Sequence, residues 1–320
     1  MKFHSRRYFS NHLVRGLAAG ALTLAAATGA AQAEDPKEVR FGVQPWPGVT
    51  VKSEVSAQLL EAAGYATDTK QLNTPLTLQG LSNGDLDVGL GGWYPVSSSM
   101  IDPLVQEGKI TRLTANLEGA LSGVAVPTYV RDAGVESMSD LNEYADRFES
   151  KIYGIESGST WNTGVKKAIE ENRHNLGDWE VVSSGTTAML AQVGRATSRE
   201  DWVAFYGWRP HWMNITYDLH YLEAPDDSEI AHTEATVYTL TPPDLAERLP
   251  NVNRFFSQYQ VKPETQSRWI YEHSYRERSE EEVAREWIAA NPERVREWLD
   301  GVTTVDGESA FEAVKAEYDL

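Results

Sequence analysis

The chain has no cysteine. That excludes disulfides, thiol nucleophiles, Cys-ligated zinc and a lipid-anchoring cysteine behind an export signal. It also lacks a long apolar run: beyond the first 33 residues no segment approaches the roughly 18 uninterrupted apolar residues of a membrane helix. Basic residues are scarce, 29 Lys and Arg against 47 Asp and Glu, for a formal net charge of -18. So acidic a chain does not bind nucleic acid or anionic lipid by bulk electrostatics, although its charge favours solubility in salt. A nucleophile elbow, an HExxH helix and a phosphate loop are all missing. His211 and His220 have no third partner at ligand spacing, so neither a metal nor a cofactor is expected. Internal repeats and low-complexity segments are absent as well.

The N-terminus reads as an address. Lys2, Arg6, Arg7 and Arg15 form a positive region, an Ala/Leu-rich stretch covers residues 16–27, and Ala31-Gln32-Ala33 is a small-x-small cleavage site. Residues 1–33 are therefore an expected signal peptide, cleaved after Ala33, with the periplasm as destination. Ser5-Arg6-Arg7-Tyr8-Phe9 also resembles a twin-arginine signal, and folded and unfolded export both remain open. Removing four basic residues makes the mature chain more acidic still. What remains suits two lobes of ordinary domain size.

Strand-like and helix-like segments alternate twice, which predicts an α/β fold with parallel sheets. In the first unit a strand at 39–43 precedes a helix capped by Thr50, then a strand at 66–72, a helix at 76–81 and a buried strand at 87–90. The second unit runs from Lys151 through a helix after Thr160, strands at 179–182 and 202–206, and a helix at 186–196. After about Tyr221 the pattern turns mostly helical, with Pro242, Pro243 and Pro263 opening helices and Ser279 with Glu282 as a capping box. Crossings near 119–123 and 219–223 divide the chain into lobe I (34–120 and 221–320) and lobe II (121–220). This wiring is that of a two-lobed, type II periplasmic binding protein fold, with the ligand in the interlobe cleft.

Ten tryptophans are present, and their placement is informative. Trp46 lies in Gln44-Pro45-Trp46-Pro47-Gly48, Trp93 in Gly91-Gly92-Trp93-Tyr94-Pro95, and Trp208 in Gly207-Trp208-Arg209-Pro210-His211. Each is expected where a strand gives way to a Gly/Pro-bearing loop, a cleft position. Trp161, at a helix start after Ser157-Gly158-Ser159-Thr160, faces the same cleft. Indole faces around one point hold a cation that has no donors, that is, a methylated ammonium. Trp179, Trp269, Trp287 and Trp298 fall inside helical or strand patterns and read as core.

Six segments together resemble the substrate-binding proteins of glycine betaine/choline-type ABC importers, the choline-binding branch most closely, from about Val39 to the C-terminus. They are Gly84-Asp85-Leu86-Asp87-Val88, Leu90-Gly91-Gly92-Trp93-Tyr94-Pro95, Lys151-Ile152-Tyr153-Gly154-Ile155-Glu156, Met189-Leu190-Ala191-Gln192-Val193, Gly207-Trp208-Arg209-Pro210-His211 and Trp298-Leu299-Asp300-Gly301-Val302. The resemblance implies an aromatic cage around a trimethylammonium group, matched here by Trp46, Trp93 and Trp208. Its partners are then a small quaternary-ammonium ligand and an inner-membrane ABC permease, with no nucleic acid, no membrane insertion and a monomeric state. The branch carries an acid near Gly48, a tyrosine near Ser122 and an asparagine near Ser159, and all three are missing here. Without a fixed anion the site suits a zwitterion such as glycine betaine, with choline or carnitine next. Ser159, Thr160, Trp161 and Asn162 open a helix whose free N–H groups favour a carboxylate, and His211 is a further candidate donor. A binder of an unrelated solute such as an amino acid or sulfonate is the alternative, and an extracytoplasmic enzyme a remote one.

Overall fold

The computed structural model describes residues 37–320 except 225, 228, 229 and 232, so the expected export signal lies outside the described residues. β1 (Glu38–Val43) and β2 (Ala66–Gln71) pair in parallel around the helix Pro47–Ala62. Phe41 bridges Val88 in parallel, which brings the chain entering β3 (Gly89–Tyr94) alongside β1.

The second sheet is mixed rather than parallel. It contains β3, β4 (Thr111–Pro127), β5 (Lys151–Tyr153), β6 (Glu180–Val182), β7 (Ala204–Arg209) and β9 (Thr233–Thr241), in the order β3-β9-β4-β7-β5-β6, with β8 (Leu219–Tyr221) beside β4. β5 runs parallel to β6 and β7, but every pairing of β4 and of β9 is antiparallel. β9 falls where mostly helix was expected. Its Ala235 and Val237 are buried while Glu234, Thr236 and Tyr238 are more open, the period-two alternation of a strand. It is wedged between β3 and β4.

The first helix also starts earlier than expected. Trp46 is its N-cap and Pro47 its first residue, with proline's fixed φ suited to that turn. Thr50 lies inside the first turn, its hydroxyl donating to the Trp46 carbonyl (3.0 Å). The buried apolar residues form two main clusters. One joins Phe41, Leu59 and Leu60 to Phe255, Phe256, Tyr259, Trp269 and Trp298. The other gathers Val124, Ile152, Trp179, Met189, Phe205 and Met213. Trp46, half-buried, packs against both.

Asp87 ties the first cluster's edge together. Arg40 donates Nε to Oδ2 (2.8 Å) and Nη2 to Oδ1 (3.0 Å), and Arg248 donates to Oδ1 (2.8 Å). Burial pushes the carboxyl's pKa up, but the guanidinium hydrogen bonds outweigh burial and hold it below the usual carboxylate value. A depressed folded-state pKa contributes stability that is present above the unfolded value and lost as pH falls through the folded one. Urea midpoints of wild type and Asp87→Asn, followed from neutral pH to well below about pH 4, should therefore converge at the acid end. A gap independent of pH would sink this assignment.

Candidate ligand-binding site

Between the two clusters lies a cleft of ≈ 550 Å³, its open mouth included, walled by aromatic rings. Trp46, Trp93, Trp161, Tyr206 and Trp208 line it together with Ser159, Thr160, Lys52 and Gln266. Trp46 comes from the helix cap and Trp161 from the first turn of the Thr160–Glu170 helix. Trp93 and Trp208 stand on β3 and β7, inside the strands rather than in the loops after them. The pairings with β9 and β4 continue through Gly92 and Gly207, and so carry the strands to the cleft.

β7 contributes two rings. Tyr206 and Trp208 are two residues apart, so they share one face, with centroids 5.2 Å apart. Tyr206 stacks on Trp161 (4.2 Å, 21°), and the Trp161 Nε1 donates to the Ile230 carbonyl (3.3 Å), so Trp161 backs the wall with one face already covered. Ser122 lies opposite Trp208 across the β4–β7 pairing. The position where the choline-binding branch carries a tyrosine is thus a small residue, and a ring from the paired strand lines the cavity instead. Burial raises the Tyr206 pKa, so the phenol stays neutral.

Gly48 lies under the side chain of Gln266. A Cβ there would meet its Nε2 at 2.8 Å, so the space an acid would need at this position is filled by an amide. The nearby anion is Glu156, whose two carboxylate oxygens accept the Trp46 Nε1–H at 3.0 and 3.1 Å. Burial raises its pKa, opposed by hydrogen bonds from its own backbone N–H and from Trp46. Two further hydrogen bonds join segments distant in sequence: Ser97 Oγ to Thr160 Oγ1 (2.7 Å), and Trp212 Nε1 donating to Ser274 Oγ (3.3 Å).

The remaining expected site residues are engaged in local hydrogen bonds. Ser159 lines the cavity, but its hydroxyl also accepts from Asn162 N (3.2 Å) as the helix cap. The Asn162 side chain is buried and engaged elsewhere: its Oδ1 accepts from Ile155 N, and its Nδ2 donates to the carbonyls of Ile155 and Glu156 and to Ser183. His211 packs edge-on against Trp208 (4.9 Å) and beside Trp212 (5.3 Å). Its Nδ1 accepts from Met213 N, Nε2 has no partner among the described residues, and burial pushes its pKa down to about 3, so the ring is neutral.

Lys52, Tyr206, Glu156 and Gln266 escaped the sequence reading. Lys52 had a signal: it sits one turn after Gly48, three residues from Val49 and from Val55, a lysine on an otherwise apolar helix face. Tyr206 had one too, the two-residue spacing to Trp208. Among the described residues no cluster of His, Asp and Glu could hold a metal, and no helix is long and apolar enough to cross a membrane.

A ring-walled cleft between two α/β cores defines a two-lobed solute-binding protein. The family model for the substrate-binding domain of ABC-type glycine betaine transport systems matches residues 37–290, and the chain belongs to that family. It is a substrate-binding protein of a quaternary-ammonium ABC importer, and the family is not one of enzymes. Its structure is similar to that of a choline-binding protein of an ABC transporter solved with choline (TM-score 0.85, 32% identity, 88% of this chain and 98% of that one). It is also similar to a lactococcal binding protein solved closed with glycine betaine (TM-score 0.73, 25% identity, 82% and 99%). A glycine betaine/carnitine transport binding protein of Listeria monocytogenes is 27% identical over 176 residues, 55% of this chain and 57% of that relative.

Proposed function

We propose that the chain acts as a periplasmic monomer that carries a quaternary-ammonium osmolyte to an inner-membrane permease, glycine betaine foremost and choline or carnitine next. The lobes divide at 34–120 with 221–320 and at 121–220, and closure brings Trp46 and Trp93 to face Trp208. The observation that carries this reading is the convergence of Trp46, Trp93, Trp161, Tyr206 and Trp208 on one cavity. A desolvated ring face contributes roughly 0.5–2 kcal/mol to holding a methylated ammonium. Three such faces with methyl burial reach about -8 kcal/mol, a micromolar dissociation constant.

Glu156 gives choline its claim, because a carboxylate bonded to a cage indole strengthens the negative field around any cation. Two features favour the zwitterion. Position 48 carries no acid, and the start of the Thr160–Glu170 helix presents N–H donors beside Ser159. A carboxylate there gains charge-assisted hydrogen bonds that choline's hydroxyl matches only in part.

Competition calorimetry at fixed salt, with intrinsic tryptophan emission followed in parallel, tests both levels. Glycine betaine should bind roughly tenfold or more tightly than choline. Either ligand should quench or shift the emission, because the indoles leave water as the lobes close. Unchanged emission under saturating ligand would remove the cage. Choline binding as tightly as glycine betaine would remove only the preference.

A further inference from the structure

Lys52 is the lysine lining the ring-walled cavity. Its side chain is 1% exposed as part of the residue and reaches Asn116, whose Oδ1 accepts from Nζ at 2.6 Å. Asn116 is itself buried and oriented. Its Nδ2 donates to the Leu90 carbonyl (3.2 Å) and to Thr239 Oγ1 (3.1 Å), which leaves the oxygen to face the lysine. An ammonium has three N–H donors. Asn116 takes one, and no carboxylate among the described residues pairs with the other two. A buried cation with one neutral partner is costly, and an apolar side chain would pack the same helix face without that penalty. Gln266, which also lines the cavity, covers Gly48 one turn before Lys52, and its Oε1 is buried without a partner among the described residues.

We propose that Lys52 is the residue that selects the ligand's anionic end: its ammonium, held by Asn116 at the cavity wall, pairs with a carboxylate on the molecule whose quaternary ammonium the rings enclose. The inference rests on the quaternary-ammonium reading above and deepens it. The site then holds two charges of opposite sign, Glu156 bonded to the Trp46 indole and Lys52 in the helix that Trp46 caps. A zwitterion matches both ends. A bare cation matches one and is repelled by the other.

The arrangement also makes binding proton-linked. Burial pushes the Lys52 pKa down to about 7. Its Nζ meets Asn116 from β4, its carbonyl accepts from the Tyr259 hydroxyl (2.7 Å), and Gln266 from the helix Pro263–Ile270 with Leu90 and Trp93 from β3 line the same cavity. None of these changes charge near neutrality. Tyr206 is the other ionisable group lining the cavity, Glu156 is bonded to the Trp46 indole, and burial raises the pKa of both. A carboxylate ligand raises the Lys52 pKa, so the extra affinity is complete below the free-state pKa and fades as pH rises through the bound-state one.

The test is calorimetry of Lys52→Met with glycine betaine and with choline at one pH and salt. Glycine betaine should weaken at least tenfold, and choline should bind unchanged or more tightly. Equal weakening of both ligands, or no change in either, would overturn the proposal and leave the cage standing. Failure of the wild type to bind any quaternary ammonium would bring down the cage reading and this one together. A second measurement needs no variant. Wild-type titrations at about pH 8 in two buffers of different ionisation enthalpy should show proton uptake with glycine betaine and none with choline. Absence of uptake with glycine betaine would overturn the assignment of Lys52.

Discussion

Alanine at Trp46, Trp93 or Trp208 is expected to weaken binding of glycine betaine by roughly 1–3 kcal/mol each, about five- to 150-fold, combining lost cation–π attraction with lost burial. The three are not equivalent. Trp93 and Trp208 stand on paired strands, so their removal leaves the backbone of the wall in place. Trp46 also donates its indole N–H to Glu156. Its removal leaves a half-buried carboxylate without that donor and breaks a link between the two clusters, so Trp46→Ala should be the most damaging. Trp46→Phe separates the contributions, because it keeps a ring and loses the N–H. An affinity between those of wild type and Trp46→Ala is expected for it. Wild-type affinity in two of the three alanine variants would place the ligand elsewhere.

Much of the ring-lined cleft was legible because tryptophan in a Gly/Pro setting at a strand end has few structural uses. What was not legible was how the strands pair. Period and propensity describe one segment at a time, whereas β9 is defined by long-range antiparallel contacts with β3 and β4. The alternation through Ala235 and Val237 was present, but the prolines that follow at 242 and 243 suggested helix. The expectation of parallel sheets held for β1 with β2 and for β5 with β6 and β7, and failed at β4 and β9 for the same reason.

Within the site, residue type was a poorer guide than residue environment. His211 and Asn162 have the donors a carboxylate needs, yet local backbone holds the Asn162 side chain and the indole layer separates His211 from the cavity. Lys52 looked like an ordinary helix lysine, since only the packing of the helices Pro263–Ile270 and Glu280–Ala290 around Pro47–Ala62 shows which face is covered. Glu156 was visible inside a family segment, but its partner lies 110 residues away. No spacing rule reaches that far.

Trp298→Ala is expected to cost about 3–5 kcal/mol of stability and leave ligand affinity in the folded protein nearly unchanged. Trp298 is 1% exposed and sits in the cluster of the first sheet and the C-terminal helices. Its ring meets Tyr259 edge-on (4.5 Å) and stacks on Trp287 (5.1 Å, 25°). Its Nε1 donates to the Gln260 carbonyl (3.1 Å), which also accepts from Arg294 (2.7 Å). Truncation therefore leaves that carbonyl satisfied, and the loss comes from cavity formation and missing ring contacts rather than from an orphaned acceptor. A drop in melting temperature on the order of 10 °C follows for a chain of this size. Ligand present at a hundredfold excess over its dissociation constant adds about 2.7 kcal/mol to the folded state whatever the starting stability. The thermal shift produced by glycine betaine should thus persist in Trp298→Ala and shrink in Trp208→Ala at the same ligand concentration. Loss of the shift in both variants would mean that the C-terminal core and the cage are coupled, against the separation of the two clusters.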